Sequence, residues 1–275
     1  MTVPRLRARL NSADPLVMGV LNVTPDSFSD GGLYQSVEQA VDRVGVMIDE
    51  GVDIIDIGGE STRPGSIPPT PNEELDRVLP ILEAVRTNFD IPISIDTSTP
   101  EVMRAALRYK ISMINDVRAL QRSGAVEAIG DEALVVLMHM QGTPQTMQVN
   151  PRYTDVVKDV WTFLSNRISA VETAGVAKNR LILDPGFGFG KTLAQNLQLI
   201  QELPKFLSLG CPVMVGLSRK SSIRQLATDL IAGSVAGALA SVSLGAKIVR
   251  VHDVGATVSA LSVWRELGVS KLGAV

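Results

Sequence analysis

A single cysteine among 275 residues, Cys211, excludes an intrachain disulfide and any metal cluster built on cysteines. It leads into the apolar run from Pro212 to Gly216, where it reads as a small core residue. Charge of one sign is lacking as well. The 26 Lys and Arg stand against 29 Asp and Glu, a net charge of -3, so nothing electrostatic points to nucleic acid or an anionic membrane as partner. No apolar run approaches the length of a membrane span, and the Arg-rich opening from Met1 to Leu10 has no signal-peptide core. The cytoplasm is therefore the expected compartment.

Glycine is missing where two phosphate motifs need it. Gly190-Lys191-Thr192 ends like a Walker A loop, but the first glycine of that motif would fall at Pro185, which has no backbone N–H to offer. A dinucleotide fingerprint begun at Gly186 and Gly188 would need its third glycine at Lys191. What is present instead is Leu181-Ile182-Leu183-Asp184, a short buried strand closed by a carboxylate and broken by Pro185-Gly186. A carboxylate at a strand tip, beside a loop carrying Phe187 and Phe189, suits a small planar ligand better than a polyphosphate chain.

The same grammar recurs along the chain. Apolar, β-branched runs lie at Leu16 to Asn22, Val52 to Asp56, Ile93 to Asp96, Ser112 to Asn115, Leu134 to His139, Leu181 to Asp184, Pro212 to Ser218 and Lys247 to His252. Amphipathic stretches separate them: Ser36 to Glu50, Asn72 to Asn88, Thr99 to Tyr109, Thr154 to Ala174, Leu193 to Leu203, Ser222 to Leu244 and Ala256 to Leu267. With no linker or low-complexity tract, the alternation predicts one α/β domain over 1–275, a closed parallel (β/α)8 TIM barrel; an open doubly wound sheet is the alternative.

Barrels of this kind bind ligands where the carboxyl ends of the strands meet. The chain places Asn22, Asp56, Asp96, Asn115, His139, Asp184, Ser218, Lys220, Arg250 and His252 at those ends. Arg250 stands inside the apolar run Ile248 to Val251, a costly position for a guanidinium without a partner. His139 beside Met138 and Met140 reads as a core or supporting residue, and Trp161 and Trp264 as packing on outer helices. The loops Asn22 to Gly32 and Gly58 to Gly65 mix glycine, hydroxyls and charge, as lids do; Thr62 and Arg63 there are either an anion site or a solvated turn.

Eight motifs follow one another along the chain: Met18 to Gly32, Gly59 to Gly65, Asp96-Thr97, Ile114-Asn115-Asp116, Met138 to Gly142, Leu183 to Lys191, Ser218-Arg219-Lys220 and Arg250 to Asp253. In that order they resemble the dihydropteroate synthase family. The resemblance implies an enzyme of folate synthesis and a sulfonamide target, joining 6-hydroxymethyl-7,8-dihydropterin pyrophosphate to p-aminobenzoate through a cation-like step. It implies a pterin pocket of Asp96, Asn115, Asp184, Lys220 and Arg250, in which a carboxylate such as Asp184 can accept two hydrogen bonds from an amidine-like edge. It further implies an aminobenzoate site of Phe28, Thr62, Arg63, Pro64, Phe189 and Ser218. The anion site would comprise Thr62, Asn22, Arg250 and His252, with Asn22 as a ligand of Mg²⁺. Asn22, Arg63, Lys220, Arg250 and His252 are the expected catalytic residues, His252 as a charged partner of phosphate. A homodimer built from barrel helices is expected.

The segment from Ser221 to Ala232 is shorter than the family pattern, with Arg224 where glycine is common, and Gly255-Ala256 replaces charged residues. Two other readings differ in class: a pterin-binding module serving a corrinoid partner, which would need no Thr62 to Pro64 lid, and a barrel that has lost turnover.

Overall fold

The structure, a computed structural model, describes residues 3–23, 37–62 and 65–268. Eight strands form: β1 (Leu16–Asn22), β2 (Ile54–Gly58), β3 (Ile93–Asp96), β4 (Met113–Asp116), β5 (Leu134–Met138), β6 (Leu181–Asp184), β7 (Met214–Val215) and β8 (Ile248–Val251). All pair in parallel in the order β6-β5-β4-β3-β2-β1-β8-β7, and a parallel bridge between Leu183 and Val213 joins the two edges. The sheet is thus a barrel, closed at a narrow seam. Its strands read as unbroken apolar runs because a parallel barrel buries both faces.

The interior has an apolar lower layer. Leu16, Met18, Ile54, Met113, Leu134, Val136, Ile182, Met214 and Ile248 pack with Leu6 and Leu10 of α1 (Val3–Leu10). This helix, which the periodicity does not predict, closes the amino-terminal mouth. It meets the core through Leu6 and Leu10, one turn apart, with Val3 packed beside them, too short a stripe to stand out among its arginines.

Outside lie α2 (Val37–Asp49), α3 (Pro71–Asn88), α4 (Pro100–Leu107), α5 (Val156–Thr173), α6 (Leu193–Gln201), α7 (Leu203–Leu207), α8 (Ser221–Leu226), α9 (Leu230–Ser243) and α10 (Val254–Glu266). Thr70 and Glu73 form a reciprocal capping box at the start of α3, with Pro71 opening the helix. The single helix expected from Ser222 to Leu244 is two. Asp229 accepts hydrogen bonds from the Ile231 and Ala232 amides and starts α9 afresh. Gly233 lets the two pieces meet, since a Cβ there would stand 2.6 Å from the Ala227 Cβ. Both tryptophans sit on the outer shell, their indoles donating to Ser208 and Ser243, and Cys211 is buried as expected.

Candidate active site

Polar residues begin where the apolar layer ends. Arg250 of β8 donates from Nε to Asp56 Oδ2 at 2.7 Å and from Nη2 to Asp96 Oδ2 at 2.8 Å, and Asn115 Nδ2 reaches the same Asp56 oxygen at 3.1 Å. The partner that the buried guanidinium requires is thus a pair of carboxylates on β2 and β3. Burial, with further push from Asp56, Glu60 and Asp116, raises the Asp96 carboxyl to about 8 against the pull of Arg250. Asp56 Oδ1 is buried without a partner among the described residues.

Asp184 ends β6 almost fully buried, its Oδ1 accepting the Gly186 amide at 2.7 Å. Burial lifts this carboxyl above the usual range; Lys220, the Gly186 amide, Lys191 and Arg250 pull the other way. Lys220 donates to the Phe187 carbonyl, and its ammonium stands 4.3 Å from the centre of the Phe189 ring. Burial brings Lys220 down to about 8. The glycines of this loop serve close approach. A Cβ on Gly186, whose φ is +73°, would lie 1.8 Å from the His139 carbonyl oxygen.

Beneath the loop, Lys191 is buried and reaches His139 Nδ1 at 3.0 Å, Gly186 O at 2.8 Å and Phe189 O at 2.9 Å. It ties the loop to the tip of β5. His139 also stacks edge-on against Phe163, and burial together with Lys191 lowers it to about 3, so it is a neutral supporting residue at pH 7.

On the other rim, His252 Nδ1 lies 3.2 Å from Ser218 Oγ. Burial and the neighbouring Arg250 and Arg219 lower His252 to about 4. In the free protein His252 is therefore neutral at pH 7, and the charge expected of it in a hydrogen bond to phosphate would have to come with the bound anion. Asn22 and Thr62 are half-buried at the ends of β1 and of the β2 loop. Among the described residues no group of three or more His, Cys, Asp or Glu is placed to hold a metal. Asn22, at the end of β1, carries one amide oxygen, a hard donor of the kind that would suit magnesium if the remaining ligands came from water and substrate.

A family model described as pterin binding enzyme matches residues 18–252. The chain is 51% identical over 261 residues to a dihydropteroate synthase of Haemophilus influenzae, covering 93% of this chain and 95% of that one. A Yersinia pestis dihydropteroate synthase solved with a sulfonamide drug shares 46% identity, with a TM-score of 0.89 over 93% of this chain and 95% of the other. The chain belongs to the dihydropteroate synthase family of pterin binding enzymes. A Xanthomonas albilineans dihydropteroate synthase solved with 4-aminobenzoic acid is 50% identical, with a TM-score of 0.87 over 94% of each chain.

With the family established, the expected residues can be placed. Asp96, Asn115, Asp184, Lys220 and Arg250 converge at the barrel mouth, linked as described, with Phe189 against Lys220 and with Ser218 and His252 paired. Phe28, Arg63 and Pro64 lie outside the described residues. The sequence placed Asp56 among the polar strand ends without a part in the pocket, and gave Lys191 no role. Asp56 carried the signal that marked Arg250, a charge within the apolar run Ile54 to Ile57; the acceptors of Lys191 are mostly backbone carbonyls, which no side-chain pattern reveals. Gly255, a departure from the family pattern, lies close to the residue that follows α2: a Cβ there would stand 3.2 Å from the Glu50 carboxyl.

Proposed function

We propose that the protein condenses 6-hydroxymethyl-7,8-dihydropterin pyrophosphate with p-aminobenzoate to give 7,8-dihydropteroate and pyrophosphate, a group transfer belonging to folate synthesis and open to inhibition by sulfonamides. The observation that carries this reading is identity of about half with dihydropteroate synthases over nearly the whole chain, including relatives solved with 4-aminobenzoic acid and with a sulfonamide drug.

The buried Asp184 is suited to accept the ring N–H and exocyclic amine of a pterin. One of its oxygens already takes the Gly186 amide, which fixes the carboxylate in place, and each oxygen has a second lone pair to offer. Asn115 offers both donor and acceptor to the ring edge, and Lys220 a donor beside it. The bond between the methylene carbon and the pyrophosphate oxygen breaks as positive charge spreads into the reduced ring. The arylamine nitrogen then forms the new bond to carbon and releases its proton.

The amine is neutral at pH 7, so no residue need deprotonate it before attack. The chain's main task is to bind the departing charge. Arg250, His252, Thr62 and Asn22 are the residues proposed for it, and Asn22 would hold Mg²⁺, which when bound neutralises phosphate charge. Arg63, Pro64 and Phe28 are proposed to cover the aminobenzoate beside Phe189 and Ser218, excluding water that would otherwise trap the cation. Loss of Arg63 should then harm aminobenzoate use far more than pterin pyrophosphate binding.

The reading extends to a homodimer in the cytoplasm. Leu226, Ile231, Val263 and Leu267, on and beside α8, α9 and α10, are exposed apolar side chains whose burial against a second copy would be favourable; one buried cysteine suits a reducing compartment. No described helix is long and apolar enough to cross a membrane. The deciding assay combines purified protein, pterin pyrophosphate, Mg²⁺ and p-aminobenzoate and follows pyrophosphate release. Release that depends on aminobenzoate and is competed by a sulfonamide supports the reading; release indifferent to both overturns it.

A further inference from the structure

The turn that leaves β4 has an uncommon backbone. Ala119 and Leu120, consecutive residues with a Cβ, hold φ of +51° and +56°, the left-handed region that such residues avoid. Two charged groups hold the turn in this shape. Asp116 accepts the Arg118 amide at 2.8 Å and the Leu120 amide at 2.7 Å, and the Ser98 hydroxyl also donates to it. Arg167 of α5 donates to the Ala119 carbonyl at 2.9 Å and the Leu120 carbonyl at 3.2 Å. Strain held in this way from both sides implies that the direction of the turn matters.

What the turn directs is Arg118. Its Nη1 donates to Glu60 Oε2 at 2.9 Å and its Nη2 to Glu60 Oε1 at 2.6 Å, a two-pronged pair whose side chains are only 15% and 5% exposed. Glu60 lies two residues past the end of β2, in the stem of the loop that continues through Thr62 into Arg63. The opposite side of that stem is pinned to α3: Arg77 donates to the Gly59 carbonyl at 3.1 Å, and a Cβ on Gly59 would stand 2.7 Å from Val78 Cγ2. Arg118 itself is two residues from Asp116 and three from Asn115. The ion pair therefore couples the proposed pterin edge of the site to the root of its second loop.

We propose that Arg118 is a positioning residue for aminobenzoate use: through Glu60 it sets where the Thr62 loop leaves the barrel, without being one of the groups that grip the pterin. The proposal rests on the reaction proposed above for its kinetic consequence, but not for its structural one.

The test uses the full-length protein with Arg118→Met, Arg118→Lys and Glu60→Gln. Amide hydrogen exchange follows residues 59–62 and, as reference, residues 113–116. Arg118→Met should speed exchange in the loop stem relative to β4, and Glu60→Gln, which keeps its acceptor and disturbs folding least, should do so to a lesser degree. In steady-state kinetics Arg118→Met should raise the KM for p-aminobenzoate roughly tenfold or more while pterin pyrophosphate affinity changes less than about twofold. Arg118→Lys, with one contact restored, should recover part of that loss. Unchanged exchange at 59–62 in both Arg118→Met and Glu60→Gln overturns the proposal whether or not the wild type turns over, as do equal losses for the two substrates. A wild-type protein without aminobenzoate-dependent turnover defeats the reaction reading alone, and the exchange result still decides the positioning role.

Discussion

Arg250 Nε lies 2.7 Å from Asp56 Oδ2 while its Nη2 lies 2.8 Å from Asp96 Oδ2, so one guanidinium joins three strands, β8, β2 and β3. The arrangement gives Arg250 two tasks. It neutralises carboxylates that the barrel interior would otherwise hold uncompensated, and it keeps a positive charge at the rim where the proposed diphosphate departs. Binding an anion there does not require the fork to break, because a guanidinium has five N–H groups and the pair uses two of them.

Arg250→Met is expected to lower stability by about 3–5 kcal/mol at pH 7, since a buried pair that loses one member leaves charge unpaired. The deficit should depend on pH. Asp96 is held near 8 in the folded protein, above its unfolded value, so its contribution is fully present below the unfolded value and is lost as pH rises through about 8. Without Arg250 the carboxyl loses the attraction that opposes burial. Urea unfolding of variant and wild type should show a gap that changes little below about pH 7 and widens as pH rises through about 8, where the wild type's Asp96 loses its proton and the variant's keeps it; a gap that stays constant through that range would show that Arg250 is not what restrains Asp96.

Asp184→Asn should abolish tight pterin binding while the fold persists. The amide keeps one acceptor for the Gly186 N–H but loses the charge and the second acceptor that the pterin edge needs, a loss of roughly 2–4 kcal/mol in binding, or about 30-fold to 1,000-fold in affinity. Calorimetric titration with a pterin reads the affinity, and circular dichroism the fold. Titration indistinguishable from wild type would remove Asp184 from the site.

The barrel was legible because its strands are apolar runs that end on a polar group or meet one within a few residues, as at His139, Ser218 and His252, and such runs are what a parallel sheet buried on both faces imposes. The demand for a partner to Arg250 was legible too, from a guanidinium set among Ile248, Val249 and Val251. Its answer was not, because Asp56 and Asp96 are joined to it by barrel closure, at separations of 194 and 154 residues. Glu60 and Arg118, at a separation of 58, escaped for the same reason. The break between α8 and α9 was missed on other grounds: Asp229 caps the second helix, but the flanking sequence keeps enough apolar residues to read through it. Lys191 stood in a motif that failed as a phosphate loop, and its use as a buried strut emerges only once the loop folds back over His139.

His139→Gln tests the support beneath the β6 loop through its pH dependence. Burial first, and Lys191 second, lower His139 to about 3 from an ordinary value near 6.5. A depressed histidine contributes stability that is present above the unfolded value and is lost as pH falls toward the folded one, because the unfolded chain then binds the extra proton. The wild type should lose stability between pH 6.5 and 4 more steeply than the variant, by up to about 1.4 kcal/mol per pH unit. Glutamine retains an acceptor for Lys191, so the loop should persist at pH 7. Parallel stability curves over that range would place the imidazole in a setting wetter than the one described.

Lys220→Arg separates two groups that titrate close together. Burial brings Lys220 down to about 8, with Asp184 opposing the shift and Arg250 adding to it, while Asp96 is raised to about 8 from the other side. If the Lys220 charge assists loss of the diphosphate, kcat/KM in the wild type should fall on the alkaline side with an apparent pKa near 8, a limb that reports the free enzyme. Arginine stays charged throughout this range, so the variant's limb should move up by about one pH unit or more, even though its maximum is lower because a planar fork replaces a point charge beside Phe189. A limb that stays where it was would assign the titration to Asp96 and leave Lys220 a donor to the pterin alone.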